Sequence, residues 1–152
     1  MSENPNSAKE NPVAASTFAL DVQGLTTALF SEASGFSNET EVITYVQQDA
    51  KGKRIYIKQP GNTKWSDVTL KRGQTSDQEL WNWRQQVLDG KINDARKNGT
   101  ITGYDTLGNP VIQFTFQRGW ISKWEGAGFN AKGSDVSIET IVITHEGLDR
   151  TK

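Results

Sequence analysis

Apolar and polar residues alternate along most of the chain, which is the period of a β-strand with one buried face. Such alternation runs through Phe18, Leu20 and Val22, and again through Val68 and Leu70. Further strands are predicted over residues 28–36, 42–48, 54–58, 101–105, 111–116, 120–124 and 136–145. Polar or Gly-containing turns separate several of these segments, which favours antiparallel hairpins. The pattern therefore predicts a mainly β fold, an antiparallel β-sandwich or barrel.

One segment departs from this period and predicts a single flanking α-helix. Its apolar residues recur at helical spacing on one stripe: Leu80, Trp83, Val87 and Leu88. Ser76 is placed to cap the helix, and Glu79 three residues later completes a capping box. Gly90 is a favourable stop. We therefore expect Leu80, Trp83 and Val87 to pack on the β-sandwich.

The strands over residues 42–48 and 54–58 are predicted to form a long hairpin that ends at Pro60-Gly61-Asn62. A hairpin that extends beyond its own core is not stable alone, so it needs a partner surface. Its turn carries charges of both signs, which suit a polar contact that sets register. These residues are Asp49, Lys51, Lys53 and Arg54.

Composition supports one domain and excludes several kinds of chemistry. The chain has 152 residues, 34% of them hydrophobic, and a formal net charge of −1. Nucleic-acid-binding proteins usually carry a basic face, so this net charge gives no reason to expect nucleic-acid binding. The absence of cysteine excludes disulfides and thiol chemistry. No apolar run is long enough to cross a membrane, so direct membrane anchoring is not expected.

The first residues are predicted to differ from the rest of the chain. Residues 1–16 contain two of the four prolines among Ser, Asn, Glu and Lys, which is the composition of a flexible N-terminal tail. Residues 17–152 are predicted to form a single β-domain. Because the tail lacks the charged and then apolar pattern of a signal peptide, we expect the protein to be made and assembled in a cytoplasm.

Candidate catalytic and metal-binding residues are scarce. His145 is the only histidine, so a zinc site would need carboxylates around one imidazole, and no metal or cofactor is expected. We interpret His145 and Glu146 as a surface pair at a strand end. No serine lies in a nucleophile elbow. A pair of catalytic carboxylates stays open, because their separation in space is not visible in a sequence.

The five tryptophans have two interpretations. Exposed indoles on a sandwich stack on sugars, whereas buried ones fill a core or a subunit interface. Trp81 and Trp83 lie on the apolar side of the predicted helix, and Trp120 and Trp124 share a predicted strand. Packing in a core or an interface is the favoured interpretation.

Several blocks of residues, in a fixed order over about residues 18–150, carry a resemblance to a known family. They are Pro60-Gly61, Val68 to Gly73, Leu80 to Arg84, Gly108 to Val111, Trp120 to Trp124, Phe129 to Ala131, Val136 to Glu139 and His145 to Leu148. In this order they resemble the tail tube proteins of contractile phages and of related bacterial contractile injection systems. Ile121-Ser122 stands where a proline-containing turn is expected.

The resemblance implies a structural protein and not an enzyme. Its subunit would be a tail-tube-like β-domain that assembles into hexameric rings, stacked as a hollow conduit inside a contractile sheath. The implied partners are further copies of the chain, the sheath protein, baseplate and tube-initiator proteins, and cargo in the lumen. The implied location is the bacterial cytoplasm during assembly and then a phage-tail-like particle, which is extracellular in some systems.

In tail tubes the segment that resembles the predicted hairpin turn contacts the adjacent ring. The resemblance therefore implies that Asp49, Lys51, Lys53 and Arg54 belong to a ring-stacking loop. Three alternatives to a tube subunit remain. One is a tube-initiator or baseplate paralogue of the same fold, another is a carbohydrate-binding β-sandwich, and the third, with least support, is a hydrolase.

Overall fold

The computed structural model describes residues 13–126 and 137–152. In these two ranges the chain forms ten strands and two helices. The strands are β1 Thr17–Val22, β2 Ala28–Phe30, β3 Glu32–Ser34, β4 Asn38–Gln48, β5 Arg54–Trp65, β6 Val68–Gly73, β7 Lys97–Tyr104, β8 Pro110–Glu125, β9 Ile138–Thr144 and β10 Gly147–Arg150. The helices are α1 Glu79–Leu88 and α2 Ile92–Ala95.

Eight of these strands form one antiparallel sheet in the order β2-β1-β7-β8-β9-β6-β3, with β10 also paired to β8. The two ends of this order are consecutive in sequence, because only Ser31 separates β2 from β3. The amide of Ser31 donates to the carbonyl of Lys71, on β6, at 2.9 Å. The sheet therefore closes on itself. The predicted antiparallel sandwich or barrel with a flanking helix is confirmed.

Several predicted strand limits are wrong. The predicted strand over 28–36 is broken at Ser31, where the chain leaves β1 and begins to pair with β6. The segments predicted at 111–116 and 120–124 belong to one strand of 16 residues, β8. This strand bends at Arg118, which has a φ of +50° and donates its amide to Asn98 Oδ1 at 2.9 Å. The alternation is lost at the bend, so the sequence pattern divides the strand in two.

The core lies between the two halves of the closed sheet. Strand β9 is central, because it pairs with β8 on one side and β6 on the other. Its Ile141 and Ile143 are fully buried, and Val142 on its other face is half-buried. Val136, the first residue of the strand predicted there, lies outside the described residues. The other large, fully buried side chains are Leu20, Phe30, Val68, Leu70, Trp83, Ile101, Phe116 and Ile121.

Helix α1 begins at Glu79, three residues after the predicted cap Ser76, so the predicted capping box is wrong. The carboxylate of Glu79 instead accepts hydrogen bonds from the amide of Thr26 at 2.9 Å and from its hydroxyl at 3.1 Å. Asp77 Oδ1 accepts the amide of Glu79 at 3.0 Å. The helix ends at Leu88, and Gly90 has the left-handed φ of a helix stop, +79°.

The helix packs one face on β8. Leu80 and Trp83 are buried, Val87 is half-buried against the core, and the Trp83 indole donates to the carbonyl of Ala95 at 2.6 Å. Leu88 is 54% exposed, so its predicted place on the apolar stripe is wrong. It lies five residues from Trp83, about 140° around the helix at about 100° per residue, and points away from the sheet.

The predicted division into a tail over residues 1–16 and a domain over 17–152 stays a prediction, because residues 1–12 lie outside the described ranges. Strand β1 begins at Thr17, immediately after the predicted tail. The loop predicted at Gly126-Ala127-Gly128 lies outside the described residues from Ala127 onward. Two elements were not predicted at all, α2 and β10.

Candidate functional site

Strands β4 and β5 form a hairpin that pairs with no other strand of the described ranges. They have 11 and 12 residues, which is about twice the common strand length of 5–6. Every residue of β4 is exposed, and on β5 only Ile57, Gly61 and Trp65 are half-buried. A two-stranded ribbon of this kind is marginal in water unless something covers it. The hairpin is therefore the clearest surface that one subunit leaves uncovered.

The predicted end of this hairpin at Pro60-Gly61-Asn62 is wrong, because all three residues lie within β5. Pro60 pairs with Val42, and the register shifts between Thr40 and Val42. A proline lacks only its own amide, so it is tolerated on a strand with an open edge. Both strands of an isolated ribbon have such an edge. The turn-forming residues Pro60, Gly61 and Asn62 therefore led to a wrong prediction of where the strand ends.

The pairing gives the hairpin two different faces. One, the uncharged face, carries the pairs Ile43–Gln59, Tyr45–Ile57 and Gln47–Ile55. The other, the basic face, carries the pairs Val42–Pro60, Thr44–Lys58, Val46–Tyr56 and Gln48–Arg54. Successive side chains of a strand point to opposite faces, so the consecutive apolar residues Val42-Ile43 and Tyr45-Val46 place apolar groups on both. A strand with one buried and one solvated face would carry apolar side chains on the buried face alone.

The tip of the hairpin brings together the four predicted stacking residues. Asp49 Oδ1 accepts the amides of Lys51 at 2.9 Å and Lys53 at 2.8 Å. Gly52 has a φ of +81°, a conformation that glycine adopts without steric cost. Within the described part of the chain, Lys51, Lys53 and Arg54 form no ion pair. The tip is thus a pre-formed turn whose aspartate is used internally and whose cations are free for a partner.

The root of the hairpin is fixed to the sheet. The hydroxyls of Ser37 and Ser66 are 2.7 Å apart, and the amide of Ser66 donates to the Ser37 carbonyl at 3.0 Å. Gly35 precedes this contact with a φ of +91°, and a Cβ there would collide with the carbonyl oxygen of Asp67. Trp65 packs against the core. These contacts fix where the exposed ribbon leaves the body.

His145 belongs to this root and not to the surface, so its predicted pairing with Glu146 on the surface is wrong. It is 8% exposed, its Nε2 lies 3.0 Å from the carbonyl oxygen of Ser66, and its ring is 6.1 Å from that of Trp65. Glu146 instead pairs with Arg118 at 3.0 Å. The imidazole therefore joins the end of β9 to the root of the hairpin.

In the described ranges, Glu139 is the one buried carboxylate side chain. Its Oε2 accepts Arg72 Nε at 2.8 Å, and its Oε1 accepts the indole N–H of Trp124 at 2.6 Å. Both partners are on neighbouring strands, and the guanidinium of Arg72 lies 5.4 Å from the ring centre of Phe30. Because both carboxylate oxygens already accept hydrogen bonds, this group holds three strands together.

The tryptophans are mostly packed. Trp83 is fully buried, and Trp65, Trp120 and Trp124 are half-buried against the core. Trp81 is 39% exposed and lies edge-on to Trp124 with ring centres 4.8 Å apart. No row of exposed indoles lies along the strands of the described ranges. This arrangement supports packing over a sugar-stacking surface.

The predicted site residues form two groups that the structure does not bring together. The tip residues lie at the end of the exposed hairpin, whereas Leu80, Trp83 and Val87 lie between the helix and the sheet. The sequence analysis did not predict that both faces of the hairpin carry exposed apolar groups. The signal was the two pairs of consecutive apolar residues in β4, Val42-Ile43 and Tyr45-Val46, which the strand period alone does not explain.

The described ranges contain no group of three His, Cys, Asp or Glu side chains placed to hold a metal ion. Among the helices of the same ranges, none is long and apolar enough to cross a membrane.

The family model of the T4-like virus tail tube protein gp19 matches residues 14–149. No curated protein sequence matches the chain significantly. Among solved structures, the fold is similar to a chain of the PVC sheath-tube complex, an extracellular contractile injection system in its extended state. The TM-score is 0.72 at 20% identity, with 99% of each chain covered.

A chain of the anti-feeding prophage baseplate is similarly related, with a TM-score of 0.69 and 16% identity over 92% of this chain and 95% of that one. Hcp1 from Flavobacterium johnsoniae gives 0.53 and 16% over 88% of this chain and 94% of that one. At these identities the likeness establishes a shared fold.

Proposed function

Because this chain belongs to the T4-like virus tail tube protein gp19 family, we propose that it is the main inner tube subunit of a contractile particle. Copies assemble as hexameric rings, and the rings stack into a hollow conduit. The family consists of structural tube proteins of phage tails and contractile injection systems, which is not a class of enzymes. The function is then mechanical.

The observation that carries this proposal is the exposed hairpin. Among the residues that the structure describes, this ribbon of 11 and 12 residues pairs only with itself, and it leaves apolar side chains in water on both faces. Large exposed apolar patches are uncommon on monomeric proteins and mark interaction sites. A subunit surrounded by copies of itself has a surface available to cover each face. The hairpin therefore makes sense in an assembly and not in a monomer.

The hairpin tip is the proposed ring-stacking contact. Lys51, Lys53 and Arg54 project from a turn that Asp49 holds in shape, so little conformational entropy is lost when the tip meets the next ring. A single exposed ion pair contributes only about 0–1 kcal/mol. Repetition around a ring lets such weak contacts act together.

The proposed partners are the proteins that would contact an inner tube in a contractile particle. The similar chain from the PVC complex comes from an assembly of sheath and tube, and we infer that a sheath protein surrounds this tube as well. Baseplate and tube-initiator proteins would contact its ends, and cargo would occupy its lumen. Assembly in a bacterial cytoplasm, before the particle is complete, is part of the same proposal.

A second candidate is a tube-initiator, baseplate or cap paralogue of the same fold. One observation favours keeping it. The baseplate chain of the anti-feeding prophage is nearly as similar to this chain as the PVC chain is, with TM-scores of 0.69 and 0.72. Copy number separates the two functions: a main tube subunit forms long tubes from one protein, whereas an initiator stops after one or a few rings.

The test exchanges the five residues Asp49–Lys53 for a five-residue Gly-Ser loop and images the purified protein by negative-stain electron microscopy. We expect rings from the variant and long tubes from the wild type, because the change removes two of the three tip cations, Lys51 and Lys53, together with the Asp49 turn, and leaves the body intact. High salt should shorten wild-type tubes, since it screens exposed charges.

The chain supplies a matched control. Residues 105–109 form a second five-residue turn with the same hydrogen bonds, and the same Gly-Ser exchange there should leave long tubes. Long tubes from both variants would mean that stacking is carried elsewhere. A wild-type protein that forms neither rings nor tubes at any concentration would contradict the main-tube proposal itself.

A further inference from the structure

We propose that the cavity beside the start of helix α1 binds a small organic ammonium ion that carries a polar group. The cavity has a volume of about 430 Å³, which lies in the roughly 300–1,000 Å³ range of small-molecule sites. Two tryptophans, one buried glutamate and the segment that precedes the helix line it: Trp81, Trp124, Glu139 and residues 74–78. This inference goes beyond the proposed function, because every residue that lines the cavity belongs to one subunit.

The two indoles supply an aromatic corner for the cation. Trp81 on helix α1 is 39% exposed, and its ring meets that of Trp124 on β8 with centres 4.8 Å apart and planes at 67°. Rings at this angle form two adjoining walls. A cation within about 6 Å of an aromatic ring is attracted to its face, and most strongly to that of an indole. The corner therefore favours a methylated ammonium, whose weak hydration makes its removal from water less costly.

The charges around the cavity have the sign that a cation requires. Among the described residues that line it, the titratable ones are both acids, Asp77 and Glu139, and none is a lysine or arginine. The Glu139 carboxylate is already paired with Arg72 at 2.8 Å, so this pair contributes little net charge. Asp77 forms no ion pair in residues 13–126 and 137–152. Its carboxylate is therefore the group that remains for a ligand cation.

The start of the helix opposes this attraction and does not cancel it. A helix N-terminus carries the equivalent of about half a positive charge, and Asp77 Oδ1 accepts the amide of Glu79 there at 3.0 Å. The full negative charge of the Asp77 carboxylate exceeds this half charge, so the local charge stays negative. A small anion would meet the carboxylates of Asp77 and Glu139 together and is disfavoured.

The polar rim of the cavity accounts for the second part of the proposed ligand. All five residues of the segment before the helix are exposed, and they present hydroxyl, amide and carboxylate groups: Gln74, Thr75, Ser76, Asp77 and Gln78. A trimethylammonium head alone would fill only part of the cavity. A hydroxyl group on the same ion can hydrogen-bond to the rim. An amino alcohol such as choline would thus place its head in the aromatic corner and its hydroxyl at the rim.

Equilibrium dialysis of the purified full chain with labelled choline tests the proposal, at constant ionic strength and a concentration where the protein is monomeric. We expect saturable binding of one choline per chain. The matched probe is 3,3-dimethylbutan-1-ol, which has the shape of choline without its charge and should bind at least about tenfold more weakly. Equal affinities for the two probes would overturn the proposal, because an apolar cleft would then explain the binding.

Two substitutions identify the groups that bind. Asp77→Asn removes the charge and keeps an oxygen that can accept the amide of Glu79, whereas Trp81→Leu removes the aromatic face and keeps an apolar side chain. Each should weaken choline binding by roughly five- to thirtyfold, the effect of losing one partly desolvated cation contact. Circular dichroism of each variant checks that it is folded.

Asp89→Asn is the matched control at the other end of the same helix, where the carboxylate accepts Gln85 Nε2 at 2.9 Å. It should leave the affinity for choline unchanged. Equal losses from Asp77→Asn and Asp89→Asn would indicate a general attraction to an acidic surface and would overturn the site. Unchanged affinity in Trp81→Leu would overturn the aromatic corner as the place of binding.

The remaining outcomes are equally decisive. Binding of methyl glucoside without binding of choline would overturn the proposal in favour of a sugar subsite, and so would the absence of binding by either probe. Tighter binding of acetylated trimethyl-lysine amide than of choline would support the same ammonium chemistry and assign its source to a protein side chain. Choline binding by a protein that never forms tubes would contradict the proposed function and leave this inference standing.

Discussion

Two hairpins of this protein have the same turn and opposite surroundings. In β7–β8, Asp105 Oδ1 accepts the amides of Leu107 and Asn109 at 3.0 and 2.8 Å, and Gly108 has a φ of +83°. The β4–β5 turn repeats this arrangement with Asp49 and Gly52. Yet β7 and β8 carry core residues and helix α1 packs on β8, whereas β4 and β5 are exposed on both faces. A local sequence can set a turn without setting what covers the strands.

The comparison also separates two sources of stability. The β7–β8 hairpin is stabilised by the rest of its own subunit, because it pairs with β1, β9 and β10 and lies against the helix. The β4–β5 hairpin is joined to the subunit mainly at its root. Under the proposed assembly its apolar faces are covered by neighbouring copies, so its stabilisation depends on protein concentration.

The largest expected effect tests the helix that covers β8. Trp83→Ala should lower the free energy of unfolding of the isolated subunit by about 3–5 kcal/mol, because it empties a fully buried site and removes the hydrogen bond to Ala95. Trp81→Ala is the matched control. It should cost about 0.5–1.5 kcal/mol, the value of an aromatic pair. Urea unfolding measures both, and equal losses would contradict this packing.

The next prediction places the same substitution in each hairpin. Ile101→Ala in β7 removes a buried side chain and should cost about 2–5 kcal/mol. Ile43→Ala in β4 removes an exposed one and should change the stability of the isolated subunit by no more than about 0.5 kcal/mol. Thermal unfolding at a concentration where the protein is monomeric gives both values. A large loss from Ile43→Ala in the monomer would show that the hairpin is already covered there.

The smallest expected effect concerns pH. On β8, a hydrogen bond from Lys123, together with its charge, lowers the pKa of the Glu125 carboxyl below its ordinary value. This pair should therefore stabilise the subunit above roughly pH 4.3, the ordinary carboxyl pKa. The contribution is lost as the pH falls through the lowered pKa.

Lys123→Met is the test of this effect. It should destabilise the subunit slightly at pH 7 and not at pH 2, since the pair is exposed and screened by solvent. Lys51→Met, at the unpaired tip of the other hairpin, is the control and should have no effect at either pH. Urea midpoints compare the variants. A difference between Lys123→Met and wild type that persists at pH 2 would contradict the assigned cause.

The sequence predicted the fold where local signals and burial agree. Strand β6 was predicted from the alternation of Val68 and Leu70 with polar residues, and both side chains are buried in the structure. Gly90 follows the end of the helix with a left-handed φ, as expected. The sequence-based prediction failed where a contact with a residue far away in the chain determines the local structure. The predicted capping box does not form, and the Glu79 carboxylate bonds instead to Thr26, 53 residues earlier in the chain. Strand β10 was missed because Leu148 is its only buried residue.

The candidate site was only partly accessible from the sequence. The long hairpin and its charged tip were predicted from Val42 to Gln48 and from the turn residues. The predicted hairpin was too short, because a proline such as Pro60 usually marks the end of a strand. The sequence does not show that β5 has an open edge, where a proline is tolerated. The burial of His145 could not be predicted either, since it depends on Ser66 and Trp65, far away in the chain. Local periodicity cannot show such contacts.

Amide hydrogen exchange on both hairpins, before and after assembly, tests the central claim most directly. In the monomer, amides of β7 and β8 should be protected and those of β4 and β5 should exchange quickly, because only the first pair is covered. In tubes confirmed by electron microscopy, we expect protection of β4 and β5 to rise to the level of β7 and β8. Fast exchange of β4 and β5 in assembled tubes would contradict the claim that neighbouring copies cover this hairpin.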